Sequence, residues 1–363
     1  CGASSYFLVI IDMNAKPSVK VLHVNLAKGF RGGERQTELL IRELAKSNNI
    51  KQVLVCRSDS PLRERLSDVT NLDFVKANHQ LQGHFSAPQG ALVHAHEAKA
   101  VHWAWLHKMI RRVPYILTRR VPYPVKNKFF NRLSYRNASF AVAISSSIKS
   151  HLDSLGWAKT AFVASVLARL TQDTKKIIEL QEQKDEKIIV GHIGALVDRH
   201  KGQSVLLQAA RMMQTADDEV EFWFLGQGED EEWLKQQSVD LHNVKWLGFQ
   251  SDVGSHLAVM DIFAFPSRNE GLGSVLLDVM DAGVPIVASN VDGIPDIVQH
   301  EQTGLLVPVG DAACLHKSLL RLLGDKSLSD FLVKNAKERL DNYTPERMAE
   351  SYKQIYFEVI EKR

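Results

Sequence analysis

The chain has 363 residues, of which 45% are hydrophobic and 24% are charged. This length and composition exclude a disordered chain and a small disulfide-stabilised scaffold, and they favour two folded domains. The net charge is only +3, yet residues 1–168 carry 24 Lys and Arg against 10 Asp and Glu, whereas residues 169–363 carry 21 against 32. Two halves of opposite charge indicate two domains with different tasks.

The cysteines and the N-terminal residues bear on the compartment. Cys1, Cys56 and Cys314 are far apart and odd in number, so they predict neither a disulfide framework nor a metal site and favour a reducing, cytoplasmic compartment. The apolar run 6–11 is too short to cross a membrane. We therefore interpret residues 1–16 as a leader or a tag.

The first half of the chain alternates apolar runs with helix-length stretches. Residues 19–26 are β-branched and apolar, and a glycine loop that contains Gly33 separates them from helical periodicity over residues 34–46. Further strands are predicted at residues 52–56, 91–96, 115–118 and 139–144. Strands that alternate with helices predict a parallel sheet covered on both faces, so residues 1–170 are predicted to form a Rossmann-like domain.

The second half repeats this pattern after a polar stretch, residues 171–187, which we interpret as the interdomain connection. Strands are predicted at residues 187–193, 220–225, 244–247, 262–266, 285–288 and 304–307. Residues 187–344 are therefore predicted to form a second Rossmann-like domain. The sequence Thr344-Pro345 predicts the start of a terminal helix, residues 345–363, that packs back on the N-terminal domain. Ligands of open α/β sheets bind at the carboxyl ends of the strands, so we expect a site between the domains.

The most informative segment is residues 266–296. A predicted strand is followed by Glu270, a glycine-containing loop and a helix that carries Asp278. Glycines let backbone N–H groups approach an anion, and a helix N-terminus adds positive partial charge, so this loop suits a phosphate. Taken alone, the segment is explained more simply by a Glu that caps the helix and a solvated Asp.

The wider segment resembles the signature of glycosyltransferase family 4 (glycosyl transferases group 1), the retaining, nucleotide-sugar-dependent enzymes of the GT-B fold. Glu270 and Asp278 are separated by seven residues, as are two Glu residues in that family. Residues 292–296 resemble its Gly-Gly-x-Pro-Glu turn, with Asp292 and Asp296 in place of the first Gly and the Glu. The resemblance extends from about residue 19 to the end. It implies an α/β protein of two doubly wound Rossmann-like domains that face each other across a cleft.

The resemblance also implies roles for the residues of this segment. Glu270 would hold hydroxyls of the donor sugar as a catalytic residue, and Asp278 would accept hydrogen bonds from the ribose. Three backbone amides would approach the sugar and the diphosphate: those of Leu272, Gly273 and Ser274. Gly33 would approach the same phosphate from the N-terminal domain, and Phe249 would lie near the base. The nucleotide sugar, expected to be of the UDP type, is a substrate, and no cofactor is implied.

Residues 194–202 place cations directly after a predicted strand. Lys201 matches the Lys that precedes a glycine in the family, which implies that it stabilises the departing diphosphate. Where the family has an Arg after the preceding glycine, this sequence has Ala195. Either Arg199 supplies the missing charge or the site has one cation fewer, and a solvated basic turn explains Arg199 equally well.

Residues 93–97 resemble the strand-end histidine motif of the family. Alternation along a strand puts His94 and His96 on one face, with His102 nearby, which is a possible metal pair. No Cys or carboxylate constellation completes such a site, so we predict no metal. The resemblance implies instead that His96, assigned as catalytic, hydrogen-bonds the transferred sugar and that His94 packs beneath it. Two structural histidines are the alternative.

Residues 98–152 contain no acidic residue and 11 basic ones, interleaved with aromatic residues. Such a mixture suits nucleic acid or an anionic membrane surface, and the sequence contains no recognised nucleic-acid module. We assign six of the cations to a surface that faces an acceptor or a membrane: Arg111, Arg112, Arg119, Arg120, Lys126 and Lys128. The alternative is a solvated basic face over core aromatic residues.

These features together predict a cytoplasmic glycosyltransferase, peripheral to the inner membrane, that acts with retention. Its partners would be a nucleotide-sugar donor, an anionic glycan or lipid-linked acceptor, and anionic lipids, but no nucleic acid. We expect a place in cell-envelope polysaccharide or lipopolysaccharide synthesis. Two alternatives remain: another GT-B-fold enzyme, such as a nucleotide-sugar epimerase or a phosphorylase, and a non-catalytic protein that binds anionic glycan or lipid.

Overall fold

The computed structural model describes residues 19–214 and 219–362. The interpretation of residues 1–16, with the apolar run 6–11, lies outside this range. The described part contains two parallel sheets, one of seven strands and one of six. The prediction of an α/β protein with two doubly wound domains is confirmed.

The first sheet has the strand order β3-β2-β1-β4-β5-β6-β7, and all of its neighbouring strands are parallel. Its strands are β1 (Val19–Asn25), β2 (Ile50–Cys56), β3 (Leu72–Lys76), β4 (Leu92–Ala95), β5 (Tyr115–Arg119), β6 (Phe140–Ala143) and β7 (Thr160–Phe162). The sequence analysis missed β3 and β7. Both lie at an edge of the sheet and are partly exposed, so neither forms a continuous apolar run.

Five helices connect these strands: α1 (Gly32–Ala45), α2 (Pro61–Arg65), α3 (Ala98–Arg111), α4 (Phe129–Arg136) and α5 (Ser146–Leu155). Helix α3 begins directly after the histidine motif because Glu97, the last residue of that motif, caps it. The Glu97 carboxylate accepts hydrogen bonds from the backbone N–H groups of Lys99 at 2.6 Å and Ala100 at 2.8 Å. The same carboxylate accepts from the N–H of Leu26 at 3.2 Å, so it also holds the loop after β1.

The second sheet has the order β10-β9-β8-β11-β12-β13, again with parallel neighbours. Its strands are β8 (Ile188–Ile193), β9 (Val220–Leu225), β10 (Val244–Gly248), β11 (Ile262–Phe265), β12 (Ile286–Ser289) and β13 (Leu305–Val307). Its helices are α7 (Asp198–Lys201), α8 (Gln203–Met212), α9 (Glu231–Gln236), α10 (Val253–Leu257), α11 (Val275–Ala282), α12 (Ile294–Ile297), α13 (Ala312–Gly324) and α14 (Lys326–Arg339).

The stretch interpreted as an interdomain connection contains a helix, α6 (Thr174–Lys184). The Asp173 side chain caps it by accepting a hydrogen bond from the N–H of Lys175 at 2.9 Å. Leu180 is buried with hydrophobic residues of the second domain, and Lys184 forms an ion pair with Asp261. The helix escaped the sequence analysis because only a narrow face of it is apolar.

The terminal helix α15 (Pro345–Glu361) packs on the first sheet although it follows the second in sequence. Thr344 caps it through a hydrogen bond from the N–H of Arg347 to Oγ1 at 3.3 Å. Seven of its residues are buried: Pro345, Met348, Ala349, Tyr352, Ile355, Tyr356 and Val359. Two tyrosine hydroxyls anchor the helix to the sheet, because Tyr352 pairs with Thr118 at 2.8 Å and Tyr356 with His94 at 2.6 Å.

The two domains meet through loops at the carboxyl ends of their strands. A Cβ atom added at Gly271, after β11, would collide with the backbone carbonyl of Arg120, after β5. The Asp296 carboxylate accepts a hydrogen bond from the N–H of Ser146 at 2.6 Å, so a residue of the second domain caps α5 of the first. Within residues 19–214 and 219–362, every helix is too short or too polar to span a bilayer.

Candidate functional site

Lys201 and Glu270 form an ion pair at the centre of the cleft side of the second domain. Lys201 ends α7, and Glu270 lies in the middle of the loop between β11 and α11. The side chains are 21% and 17% exposed, and Lys201 Nζ lies 5.0 Å from the ring centroid of Phe265. The cation and the carboxylate predicted from separate motifs are thus brought together by the ends of β8 and β11, which are neighbours in the sheet.

Asp292 anchors the backbone of this loop at Glu270, a role that was not predicted from the sequence. Its carboxylate accepts a hydrogen bond from the N–H of Glu270 at 2.9 Å. Asp292 has φ of +47°, a conformation that Asp adopts more readily than most residues, so it replaces the glycine of the motif at modest cost and adds an anchor. Asp292 is visible in the sequence as the first residue of the turn at residues 292–296. Its hydrogen-bond partner, Glu270, lies 22 positions earlier and cannot be identified from that turn.

The glycine loop presents unused backbone donors to the cleft. Across the described residues, no protein group accepts a hydrogen bond from the amides of three consecutive residues: Leu272, Gly273 and Ser274. Gly273 has φ of +81°, which permits the tight path of the loop into α11. The first domain stands opposite, because a Cβ at Gly32 would lie 3.9 Å from the hydroxyl of Ser274. Free amides before a helix are suited to an anion.

Asp278 lies on the first turn of α11 and contacts the chain that links the domains. Its Oδ1 accepts a hydrogen bond from the N–H of Ala168 at 2.7 Å. Burial raises the pKa of the Asp278 carboxyl to about 6, against the hydrogen bond from Ala168 and the charge of Arg35, which both lower it. No described residue donates a hydrogen bond to the second oxygen, so it remains available to a ligand.

Two residues predicted to bind the donor stand further from this centre. Arg199 is 66% exposed and forms an ion pair with Glu229. Phe249 is 68% exposed on the loop that follows β10. The nearby Arg268, which the sequence analysis did not select, is engaged by Asp198 at 3.4 Å.

His96 ends a chain of buried hydrogen bonds that starts at Gln52. The Gln52 amide donates to the carbonyl of Ile41 at 3.0 Å, so its oxygen is left to accept from His23 Nε2 at 3.1 Å. His23 Nδ1 is then unprotonated and accepts from His96 Nε2 at 2.9 Å. Burial lowers the pKa of His23 to about 3 and that of His96 well below its usual value, so both rings are neutral. The chain therefore leaves His96 Nδ1 as an acceptor, and this buried atom has no hydrogen-bond partner among the residues that the structure describes.

His94 has a different environment from the one predicted. Both of its nitrogens are engaged, with Tyr356 Oη at 2.6 Å and Thr118 Oγ1 at 2.7 Å, so it joins β4 to β5 and to α15. Burial lowers its pKa well below the usual value. Its ring contacts that of His96, with 3.8 Å between the centroids and 35° between the ring planes. His94 therefore supports His96 both from beneath and through the terminal helix.

The possible metal ligands are His23, His94 and His96, whose nearest nitrogens lie within 4.8 Å of one another, rather than the set with His102. Hydrogen bonds engage both nitrogens of His23 and of His94. Metal binding would break these bonds, and in the part of the chain that the structure describes the group includes no thiolate or carboxylate. The arrangement is better suited to orienting His96.

Arg119 and Arg120 correct the predicted basic surface. Arg119 turns inward to hydrogen-bond the hydroxyl of Tyr135 at 3.2 Å and the carbonyl of Tyr123. Arg120 enters the interdomain cleft, where a Cβ at Gly33 would lie 3.3 Å from its Cδ. The other four predicted cations are exposed: Arg111, Arg112, Lys126 and Lys128. Strand β5 ends at Arg119, so the chain delivers both arginines to the carboxyl edge of the sheet rather than to an outer helix.

Comparison with known proteins agrees with this geometry. Residues 187–325 match the family model described as glycosyl transferases group 1. The match covers β8 to β13 and thus the Lys201–Glu270 pair and the glycine loop. Residues 187–325 are therefore similar to the group 1 glycosyltransferases.

Curated relatives carry related names. The chain is 28% identical over 233 residues to the lipopolysaccharide core biosynthesis glycosyltransferase LpsE of Rhizobium meliloti, which is 62% of this chain and 66% of LpsE. It is 30% identical over 181 residues to N-acetyl-alpha-D-glucosaminyl L-malate synthase of Bacillus anthracis, which is 49% of this chain and 47% of that protein. The matched regions thus span about half to two thirds of these relatives.

A solved structure extends the similarity to both domains. Anabaena Alr3699/HepE, crystallised with UDP and glucose, superposes with a TM-score of 0.83 over 94% of this chain and 100% of that chain, at 19% identity. At this identity the match concerns the fold. The architecture is therefore GT-B, as the sequence analysis predicted.

Proposed function

We propose that the protein is a glycosyltransferase that moves a sugar from a nucleotide sugar to a hydroxyl group of a glycan or lipid-linked acceptor. The observation that carries the proposal is the Lys201–Glu270 ion pair beside the unused amides of residues 272–274. A carboxylate that accepts from sugar hydroxyls, a cation and free amides are what a nucleotide sugar requires. The names of the relatives support synthesis of lipopolysaccharide or another cell-envelope polysaccharide. The UDP complex of HepE supports a UDP-type donor.

The reaction breaks the bond between the anomeric carbon and the diphosphate oxygen, and the diphosphate leaves with the bonding electrons. The acceptor oxygen forms the new bond to the anomeric carbon, and its proton passes to an oxygen of the departing diphosphate. In a retaining reaction the acceptor approaches from the face that the diphosphate leaves, as the family resemblance implies. Lys201 and the loop amides stabilise the charge that develops on the leaving group.

When a donor binds, Lys201 and Glu270 contact different parts of it. Glu270 exchanges part of its contact with Lys201 for hydroxyls of the sugar, which frees Lys201 to approach the phosphate. Asp278 Oδ2 receives the ribose hydroxyls while Oδ1 keeps its hydrogen bond to Ala168. His96 Nδ1 accepts from a hydroxyl of the transferred sugar. With Lys201 and a helix N-terminus present, the leaving group has cationic partners from the chain itself, and the proposal includes no metal or cofactor.

We assign the first domain to the acceptor and its outer face to an anionic membrane surface. Large apolar side chains are exposed beside the four outward cations, with Phe129 72% and Phe130 61% exposed. Cations that meet lipid phosphates and aromatic rings at headgroup level are typical of peripheral membrane proteins. The proposal places the enzyme at the cytoplasmic side of the inner membrane, without nucleic acid. Cosedimentation with phosphatidylglycerol vesicles tests it: F129S/F130S is expected to lose binding, and F331S, in the second domain, to retain it.

A thermal-shift panel of nucleotide sugars tests the donor assignment. One nucleotide series is expected to raise the melting temperature, because a ligand that binds only the folded state stabilises it. The selected donor, labelled in its sugar, is then incubated with and without rough lipopolysaccharide or other lipid-linked glycans. Label that moves to a glycan supports transfer. A nucleotide epimer or a sugar phosphate would identify another GT-B reaction, and no thermal shift with any nucleotide would favour a non-catalytic binding protein.

A further inference from the structure

Arg120 is a cation without a partner in the interdomain cleft. Its guanidinium makes no hydrogen bond and no ion pair with any residue in 19–214 or 219–362, and its Nε is sealed from solvent. The side chain runs along Gly33, and its backbone carbonyl abuts Gly271. It therefore lies between the glycine loops of the two domains.

Three cations of the second domain near this cleft are engaged. Lys201 pairs with Glu270, Arg199 with Glu229, and Arg268 with Asp198. Partial burial without a partner is unfavourable for a guanidinium, and desolvation lowers the pKa of Arg120 against the opposing effects of Tyr352 and Glu34. A protein that keeps such an arrangement has a use for the free charge, and the five N–H donors of a guanidinium match phosphate oxygens.

We propose that Arg120 binds the diphosphate of the nucleotide sugar, so that the first domain supplies a cation to a phosphate held mainly by the second. This inference rests on the proposed function and extends it to a residue that neither the family match, which begins at residue 187, nor the sequence analysis assigned to the donor. Gly33 acquires a second reason to lack a side chain, since a Cβ there would crowd Cδ of Arg120 at 3.3 Å. A phosphate held from both domains would also favour the closed cleft.

Isothermal titration calorimetry with UDP, UMP and uridine at fixed pH tests whether Arg120 binds the diphosphate. If Arg120 contacts the diphosphate, R120Q weakens UDP binding by about 10- to 100-fold, the range expected for losing a charged hydrogen bond. UMP is affected less and uridine not at all. R120K, which keeps the charge but not the fork, falls between R120Q and the wild type. R136Q, an exposed arginine of α4, serves as the matched control and binds UDP as the wild type does.

Thermal unfolding without ligand separates this role from a structural one. Removal of an unpaired buried charge is expected to leave the melting temperature of R120Q unchanged or to raise it, while the UDP-induced shift shrinks. A lowered melting temperature in R120Q with an intact UDP affinity would overturn the proposal. Equal loss for uridine and UDP would also overturn it, because the effect would not depend on phosphate. If the wild type binds no nucleoside diphosphate, the proposed function itself fails.

Discussion

His23 accepts a hydrogen bond from His96, and this contact decides which nitrogen of His96 is left as an acceptor. The 2.9 Å hydrogen bond joins His23 Nδ1 to His96 Nε2. Its direction follows from Gln52, whose side-chain oxygen accepts a hydrogen bond from the only ring N–H of His23. His96 Nδ1 is consequently a lone-pair acceptor, suited to a hydroxyl that donates. Gln52 and His23 are positioning residues, since neither faces the ligand in the proposed reaction.

Substitution of Gln52 by Met is expected to disturb this tautomer. Without the amide oxygen, the N–H of His23 loses its partner, and a shift of its proton to Nδ1 would force His96 to present N–H instead of a lone pair. We expect kcat to fall by about 10-fold or more, the order of one lost hydrogen bond. Imidazole nitrogen resonances in NMR report the tautomers directly.

Gln52→Glu is the matched variant, because its carboxylate still accepts from His23. It should retain the wild-type imidazole signals of His96 and more of the turnover than Q52M. If Q52M keeps both the wild-type tautomer and the wild-type kcat, the hydrogen-bond chain does not orient His96.

Donor affinity should depend on pH through Asp278. Its pKa of about 6 means that the carboxylate, the better acceptor for ribose hydroxyls, prevails above pH 6 and is lost below it. Affinity for the selected nucleotide sugar is expected to fall between pH 7.5 and 5.5, by at most tenfold per unit below the pKa. Titration calorimetry measures this, and a nucleotide sugar avoids the terminal phosphate ionisation of UDP. D278N should bind more weakly at pH 7.5 and lose this dependence. An unchanged pH profile in D278N would rule out the carboxylate as its source.

Stability should fall in mild acid because several histidines are buried as neutral rings. Burial lowers the pKa of His23 to about 3 and that of His192 to about 4, and lowers those of His94 and His96 well below their usual value. The unfolded chain therefore binds more protons below about pH 6.5, so stability is complete above that pH and is lost as pH decreases. Each such histidine contributes a slope of about 1.4 kcal/mol per pH unit.

Urea unfolding at pH 7.5, 6.5 and 5.5 measures this slope. Asp278 opposes it by one group, since its pKa is raised in the folded state and its proton stabilises that state between about pH 4 and 6. H192N should remove about one histidine's share of the slope. A free energy of unfolding that is constant from pH 7.5 to 5.5 would contradict the neutral, buried assignment.

The fold was largely predictable because each central strand of a parallel sheet is an apolar run. The segments missed were those that the sheet buries least, such as the edge strand Leu72–Lys76, and helix α6, of which a single residue, Leu180, is fully buried. The linear motifs also gave Lys201 and Glu270, because each lies at the end of a strand in the same parallel series.

The remainder of the site depends on distances that no linear pattern carries. His23 lies opposite His94 in the register of β1 and β4, and strand register cannot be read from either segment alone. Arg120 was placed among surface cations by composition. Its true position follows from the packing of the loop after β5 on Gly271 of the other domain. The ion pair of Arg199 with Glu229 likewise joins residues 30 positions apart, which no linear motif indicates.

Lys201 and Glu270 are expected to be indispensable for transfer and dispensable for folding. K201A should lower kcat by about 100-fold or more, the order found when one donor to a developing anion is removed. E270A should also bind the donor sugar more weakly, because the carboxylate that accepts from its hydroxyls is removed. The melting temperatures should stay close to that of the wild type, because both side chains line an open cleft. R211Q, at an exposed ion pair with Asp240, is the control for a surface substitution. Wild-type turnover in K201A or E270A would remove the pair from the site.

The most direct test of the account follows the sugar itself. Wild-type protein and E270A are incubated with the selected donor, labelled at the anomeric carbon, and with lipid-linked glycan acceptors, and the products are resolved by NMR. We expect only the wild-type protein to form a new glycosidic bond, and we expect its anomeric configuration to equal that of the donor. Inverted configuration would contradict retention, and label that never leaves the nucleotide would contradict the assignment as a glycosyltransferase.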